Sequence, residues 1–461
     1  MQTTFGRKGT KKGRREKIQV KAERESVVKV IKMRALFLAL MALLVMNCGC
    51  TRQEGNLKDS EAKSALEGSA GWDSASEGAG TEVTKAEALK SSEEESTAST
   101  EAPEENQEYT IVMVGDVLLH TPVEESCRQE DGSYNYDSLF AHTKDAISEA
   151  DLALVNQEVI IGGAELGISG YPCFNADFSL CDSLVEAGFD VICHATNHAL
   201  DKGRAGLLSC AKHWKESYPQ ITVLGIHDTK DTSTAYGADP VILEVGDIRI
   251  AVLNYTYGTN GIALPADMPF GVDLLKEAQV EADIRRAEEI ADFTIVCPHW
   301  GTEYRLVPDA SQEKWTKLFL ENGADLVLGT HPHVIEPVEW VRDEETGHEM
   351  LVYYSLGNFV NWTSGTGKGV ANRMVGGMAE VTIGRLDTGE VKVTSYGIRP
   401  LVSHVTSGAE GVTAYFLEDY SEKLAAENEI VFQDSDFSRE YCVDLCDQVW
   451  GNLWRTEIND Q

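Results

Sequence analysis

Polar residues of metal-ligand type recur just after runs that read as buried strands. That recurrence restricts the chain to folds whose strands deliver side chains to one sheet edge. Residues 109–114 form a β-branched apolar run that stops at Gly115-Asp116. Residues 151–155 repeat the pattern before Asn156-Gln157-Glu158, and residues 189–193 precede Thr196-Asn197-His198. Residues 293–297 lead to Pro298-His299-Trp300, and residues 325–328 lead to Gly329-Thr330-His331 and His333. Between these runs, residues 178–187, 274–290 and 312–321 carry a helical period, while 221–224 and 248–253 read as further strands. Residues 334–341, 350–355, 378–383 and 391–398 then read as successive strands. Helix–strand alternation followed by a strand-rich half predicts an α/β sandwich. Beyond about Leu401 two helices are expected, over 415–426 and 441–454.

Asp116, Glu158, Asn197, His198, His299, His331 and His333 all fall at the carboxyl ends of strands, where α/β sheets build their sites. Carboxylates, an amide oxygen and imidazoles form a hard-to-borderline donor set suited to Mn, Fe, Zn or Mg. Two such ions about 4 Å apart could clamp the attacking and leaving oxygens of a phosphoryl or acyl group. Each residue alone has an ordinary explanation: a strand-ending turn, a surface carboxylate, a core histidine. Pro332 favours extended backbone before it, which would let His331 and His333 diverge. Placement of all of them at strand ends is what argues for a shared site. Trp300, Tyr304 and Trp362 are candidates either for lining a cleft or for the core. Gly365-Thr366-Gly367-Lys368-Gly369 faintly resembles a phosphate-cradling loop, but it lacks the full spacing and no Ser or Thr follows Lys368, so an ordinary flexible loop is expected.

The motif series Gly115-Asp116, Asn156-Gln157-Glu158, Ala195-Thr196-Asn197-His198-Ala199-Leu200-Asp201-Lys202-Gly203, His299-Trp300-Gly301-Thr302-Glu303-Tyr304, Gly329-Thr330-His331-Pro332-His333-Val334 and Ser355-Leu356-Gly357-Asn358-Phe359 resembles the CapA family of poly-γ-glutamate capsule synthesis proteins. The resemblance spans about residues 109–402. It implies the four-layer α/β sandwich of the calcineurin-like metallophosphoesterases, followed by a small helical C-terminal extension. It also implies Asp116, Glu158, Asn197, His299, His331 and His333 as ligands for one or two divalent ions. His198 is implied as an acid for the leaving group, with Asp201 orienting its ring, as a carboxylate often fixes an imidazole tautomer. The sequence departs from the general phosphoesterase pattern, in which a His stands two residues after the first Asp; here that position is Leu118. Glu158 stands where that pattern has a second Asp, Thr196 where the family commonly has an Asn, and His120-Thr121 where it often has an Arg.

The remaining chain reads as export and tether. Residues 1–50 combine a Lys/Arg-rich stretch, an apolar run of about twelve residues too short to span a bilayer comfortably, and Asn47-Cys48-Gly49-Cys50. This resembles a lipoprotein signal, with Cys50, or Cys48 as second choice, as the lipidated residue; an uncleaved signal anchor is the alternative. Residues 51–108 are rich in Ser, Glu, Ala, Thr and Gly and cannot bury enough apolar area to offset ordering entropy, so a disordered acidic tether is expected. Residues 109–402 form the expected domain and 403–461 the expected helical extension. The formal net charge of −35 argues against nucleic-acid binding, since phosphates would repel it. Cys442 and Cys446 are expected to be two buried thiols.

The functional expectations are three. The first is a lipid-anchored protein on the extracellular face of the cell membrane, partnering an anionic capsule polymer or its carrier and the capsule synthesis membrane proteins, and working as a metal-dependent hydrolase or transferase. The second is a non-catalytic assembly scaffold on a degenerate phosphoesterase fold. The third is a secreted phosphodiesterase or nucleotidase.

Overall fold

The computed structural model describes residues 107–455 and the backbone of 459–460. The expected signal segment, with Cys48 and Cys50, lies outside the described residues, as does the expected tether up to residue 106. Two mixed sheets carry the fold. The first contains β1 (Glu108–Val117), β2 (Leu152–Asn156), β3 (Val191–Cys193), β4 (Thr222–Leu224), β11 (Asn358–Val360), β12 (Val375–Arg385), β13 (Val391–Val405) and β14 (Val412–Phe416), in the order β14-β13-β12-β1-β2-β3-β4 with β11 beside β1. The second runs β5-β6-β7-β8-β10-β9, from β5 (Val241–Val245), β6 (Ile248–Thr256), β7 (Phe293–His299), β8 (Leu326–Leu328), β9 (Val338–Arg342) and β10 (Glu349–Tyr353). β1 through β4 are parallel, as are β6, β7, β8 and β10.

Side-chain alternation along the second sheet explains the layering. Ile295 and Cys297 of β7 enter one core, which is shared with the first sheet, whereas Val296 between them faces a second core. That second core is closed by α3 (Glu277–Ile290), through Val280 and Ile284, and by α4 (Ala310–Asn322), through Trp315 and Phe319. On the first-sheet side, α1 (Ser179–Ala187) contributes Leu180 and Leu184, and α2 (Gly203–Ser217) contributes Leu207 and Trp214. The result is a four-layer α/β sandwich. α4 begins with a full capping box between Asp309 and Gln312, worth about 1 kcal/mol, and stops at the left-handed Gly323 (φ 104°).

One device aligns the parallel strands. Asp151, Asp190, Asp292 and Asp325 stand immediately before β2, β3, β7 and β8. Each carboxylate accepts an amide N–H near the start of the adjacent strand: Thr110, Ala153, Arg249 and Thr294, at 2.8–2.9 Å. Fixing the amino ends fixes the register with which the carboxyl ends reach the site.

Three expectations change. β1 does not stop at Gly115 but continues to Val117, because β11 pairs alongside it, Asp116 opposite Asn358. Position 402 falls inside β13, which runs on to Val405. The helix expected over 415–426 is replaced at its start by β14, whose Val412, Ala414 and Phe416 are buried as a strand pairing with β13; a short helix, Glu422–Glu427, follows. α5 (Arg439–Trp450) forms as expected, with Cys442 and Cys446 buried and free. Its Trp450 donates Nε1–H to the Glu336 carbonyl at 3.0 Å. Among the described residues no helix is long and apolar enough to cross a membrane.

Candidate metal centre

Asp116 reaches the site because β1 approaches the 356–358 turn more closely than any side chain would allow. A Cβ on Gly115 would lie 1.9 Å from the Gly357 carbonyl oxygen. The glycine lets Asp116 N–H bond that same oxygen at 3.0 Å. His299 is the last residue of β7, Asn156 the last of β2, and Glu158 lies two residues beyond it. His331 and His333 follow β8 through a turn in left-handed conformation (φ 97° and 58°), which overrides the divergence that Pro332 would favour and leaves their rings 5.6 Å apart. Tyr304 (φ 66°) and Asn260 (φ 50°) border the same cleft. Such backbone costs about 1–3 kcal/mol per residue and is retained chiefly where function demands it.

The side chains converge. Glu158, His299 and His331 form one group, and Asp116, Glu158 and His333 a second; in each the ligand atoms lie within 4.8 Å of one another. Glu158 belongs to both. Its Oε1 is 3.7 Å from His299 Nε2 and 3.7 Å from His333 Nε2. His333 Nδ1 lies 3.0 Å from Asp116 Oδ2, and Asn156 Nδ2 donates to Asp116 Oδ1 at 2.8 Å. Asn197 Oδ1 sits 2.9 Å from His299 Nε2, while its Nδ2 donates to Asn260 Oδ1 at 3.3 Å. The structure therefore brings Asp116, Glu158, Asn197, His299, His331 and His333 into one buried cluster. His198 lies at its edge, Nε2 3.9 Å from Glu158 Oε1, with Nδ1 2.7 Å from Asp201 Oδ2. Asp201 is itself held by the Phe174 amide at 2.7 Å.

Both Glu158 oxygens are buried and have no hydrogen-bond partner among the described residues, and neither has His331 Nδ1. Leaving a carboxylate dry and unpaired costs several kcal/mol. A divalent cation between the two groups would remove that cost, and the N/O donor set suits one. Burial, reinforced by neighbouring imidazoles, pushes His299 and His331 well below the usual histidine range, so both are neutral, as metal ligands must be. Burial also drives Glu158 well above the carboxylate range, against the pull of His333. On His333 burial acts downward, but Glu158 and Asp116 outweigh it and hold the ring at about 9.

Several rim residues were not singled out from the sequence. His120, beside Phe174 (ring centroids 5.2 Å), is lowered to about 4 by burial and by His333, His198 and Arg373. Asn358 Oδ1 is 3.1 Å from His333 Nδ1. Tyr257 lies 4.7 Å from the His331 ring. Arg373 stacks on Tyr304 with its guanidinium carbon 3.6 Å from the ring centroid. Single polar residues in loops leave no periodic signal; Asn358 alone sits within a recognisable motif. Of the three aromatics considered for the cleft, Tyr304 is at its mouth, whereas Trp300 is core, stacked on Phe319 and Tyr354, and Trp362 packs partly buried against the main core. The glycine-rich loop turns two of its amides into the fold: the Gly367 amide bonds the Gln433 carbonyl and the Gly369 amide bonds Asp434 Oδ2.

Residues 110–363 match the family described as bacterial capsule synthesis protein PGA_cap. The chain is 29% identical over 276 residues to a capsule biosynthesis protein CapA of Bacillus anthracis, across 56% of this chain and 62% of that protein. It is 30% identical over 193 residues to a PGA biosynthesis protein CapA of Bacillus subtilis (strain 168), across 39% of this chain and 45% of that protein. The matched part thus spans less than two thirds of either relative. Among solved structures, a 5'-nucleotidase precursor from Thermus thermophilus aligns with TM-score 0.40 at 14% identity, covering 64% of this chain and 54% of that one. The calcineurin-like phosphoesterase YfkN from Bacillus subtilis aligns with TM-score 0.36 at 13% identity, covering 64% and 91%.

Proposed function

The chain belongs to the bacterial capsule synthesis protein family PGA_cap, and on that premise we propose that it acts on an anionic capsule polymer or its carrier as a metal-dependent hydrolase or transferase. One relative is named as a PGA biosynthesis protein, so poly-γ-glutamate is the polymer proposed. The observation that carries the reading is Glu158, buried, without a partner at either oxygen, and shared by two ligand groups.

Asp116, Glu158 and His333 would hold one divalent ion, and Glu158, His299 and His331 a second, with Asn197 Oδ1 beside His299. A cation bound there would supply positive charge for the oxygens of a phosphoryl or acyl group. His198 is the proposed proton donor. Asp201 accepts its Nδ1–H and so stabilises the doubly protonated ring, whose Nε2–H faces the cleft and would pass its proton to a leaving oxygen, returning the ring to the neutral form. Asp201 is thus a positioning residue. Asp201→Asn should lower turnover about 10- to 100-fold with unchanged metal content; equal loss of metal would assign it a structural role instead.

The direct test is elemental analysis of the purified protein together with hydrolysis of a generic phosphodiester and of γ-linked polyglutamate, with and without Asp116→Ala. Bound metal and Asp116-dependent turnover are expected. A second reading, a non-catalytic assembly scaffold, draws on Leu118, an apolar core residue where the phosphoesterase pattern has a His. Tightly bound metal with no turnover of either substrate would favour it.

We further propose attachment to the outer face of the cell membrane through lipidated Cys50, or Cys48, near the capsule synthesis membrane proteins. Changing both to Ser should release the protein; tight membrane retention after signal processing would end this proposal.

A further inference from the structure

We propose that Arg373, stacked on Tyr304, is the anion-recognising arm of the cleft, binding a second oxyanion of the substrate, carboxylate or phosphate, beside the group handled at the metal centre. The inference rests on that centre being a substrate site.

Position comes first. Tyr304 donates its backbone N–H to the Pro332 carbonyl, between the two site histidines, at 2.7 Å, and its ring lies 6.0 Å from that of His333. The Arg373 carbonyl accepts from Asn358 Nδ2 at 2.8 Å, and Asn358 Oδ1 contacts His333. The charge of Arg373 also acts on His120, which feels His333 and His198 as well. The guanidinium thus lies against a ring that neighbours His333, and the backbone of Arg373 is bonded to Asn358, which contacts the same histidine.

Charge comes second. The chain has 75 acidic and 40 basic residues, and among the described residues most guanidinium groups find a carboxylate, as Arg204, Arg249, Arg285, Arg286, Arg385 and Arg399 do. Among the described residues Arg373 pairs with none. With those residues its one side-chain hydrogen bond runs from Nη1 to the neutral Thr363 hydroxyl at 2.9 Å. A flat, half-buried cation held over an aromatic face keeps its other N–H groups free for a planar or tetrahedral oxyanion. In a protein this acidic, a positive group at the cleft favours an anionic substrate against the surrounding field.

Construction comes third. The loop that presents Arg373 is clamped by the C-terminal segment. Asp434 Oδ2 accepts the Gly369 and Ala371 amides at 2.7 and 3.3 Å, the Gln433 carbonyl accepts the Gly367 amide, and Gln433 Nε2 donates to the Thr363 carbonyl. Tyr441 of α5 bonds Asn372, the residue before Arg373. Gly365 leaves room where a Cβ would come within 3.3 Å of Arg373 Nη1. Two separate chain segments thus fix the position of an arginine whose head forms no ion pair with any described residue. The C-terminal extension gains a role: it buttresses the anion arm.

The test is calorimetric binding to the full-length protein, metal-loaded and chelator-stripped, of penta-γ-glutamate, inorganic pyrophosphate and the uncharged amide counterpart of the pentapeptide. Arg373→Gln should weaken binding of the charged probe about tenfold or more, since a charge-assisted hydrogen bond contributes about 1.5–3 kcal/mol, and should leave the uncharged probe unchanged. Arg373→Lys should recover part of the loss. Which charged probe responds separates a carboxylate from a phosphate source. Charge discrimination through Arg373 that survives metal removal would sustain the arm even if the metal reading failed. Unchanged affinity in Arg373→Gln for both charged probes would overturn the proposal. So would a loss matched by lost metal or by weaker binding of the uncharged probe, because either marks a structural buttress.

Discussion

Asp116 Oδ2 and His333 Nδ1 lie 3.0 Å apart although 217 positions separate them in sequence. The contact joins the end of β1, in the first sheet, to the turn after β8, in the second. Candidate ligands drawn from both sheets would make metal binding and folding one equilibrium. Adding a divalent ion at about 100 times its Kd should therefore stabilise the protein by about 2.7 kcal/mol. Thermal unfolding with Mn, Zn or Mg and after chelation reads this directly. Asp116→Ala should abolish most of the metal-dependent shift; an undiminished shift would place the ion elsewhere.

Glu158→Gln should change sign with conditions. Without metal, the substitution removes a buried carboxylate that has no partner, and stability should stay level or rise by about 1–3 kcal/mol. With saturating metal the variant should be the less stable one, because the oxygen shared by both ligand groups has lost its charge. Unfolding curves of both proteins in chelator and in metal would show the crossing. A variant less stable under both conditions would mean that Glu158 supports the fold by a contact other than metal.

Much of this site could be read in the sequence because each ligand follows an apolar run whose length and β-branched content mark a strand. The strands before Glu158, Asn197, His299 and His331 form within a residue or two of the expected positions, apart from longer continuations at some ends. What could not be read depends on tertiary approach. β1 runs past Gly115 only because β11 arrives from far along the chain, Asp116 pairing with Asn358. β14 is hidden in the sequence because Tyr415 and its neighbours also satisfy a helical pattern, and only pairing with β13 decides between them. The helix α2 and the strand β5 were not anticipated; β5 lies at a sheet edge with a mostly half-exposed pattern, which leaves weak periodicity. Arg373 could not be found at all, since its proposed role depends on stacking against Tyr304, far earlier in the chain.

Gly115→Ala should be among the most damaging single-methyl changes. The added carbon would meet the Gly357 carbonyl oxygen at 1.9 Å, with the Gly357 carbonyl carbon at 2.9 Å. Both atoms are backbone, so relief requires separating β1 from the 356–358 turn. That movement would also displace Asp116. A loss of about 1–3 kcal/mol in urea unfolding, typical of overpacked positions, should accompany weaker metal binding. A stable variant with full metal content would show that the two segments separate at little cost.

Glu124 supplies a pH dependence independent of the metal. It is buried in the short helix Thr121–Ser126, its Oε2 accepts the Tyr136 hydroxyl at 2.5 Å, and its Oε1 has no partner among the described residues. Burial lifts its carboxyl from the ordinary 4.5 to about 8, with the Tyr136 hydrogen bond opposing the shift. The folded state therefore holds a proton that the unfolded chain releases near pH 4.5. Between about pH 4.5 and 8 the folded protein binds more protons than the unfolded one, so this contribution to stability is complete below 4.5 and is lost as pH rises toward 8. The slope from one group is at most about 1.4 kcal/mol per pH unit. Glu124→Gln keeps an oxygen for Tyr136 and cannot ionise, so it should flatten that slope and gain most over wild type near pH 8. Urea unfolding of both proteins at about pH 5, 6.5 and 8, in chelator so that the metal centre does not contribute its own protons, measures the difference. Parallel pH profiles would show that Glu124 ionises at its ordinary value despite its burial.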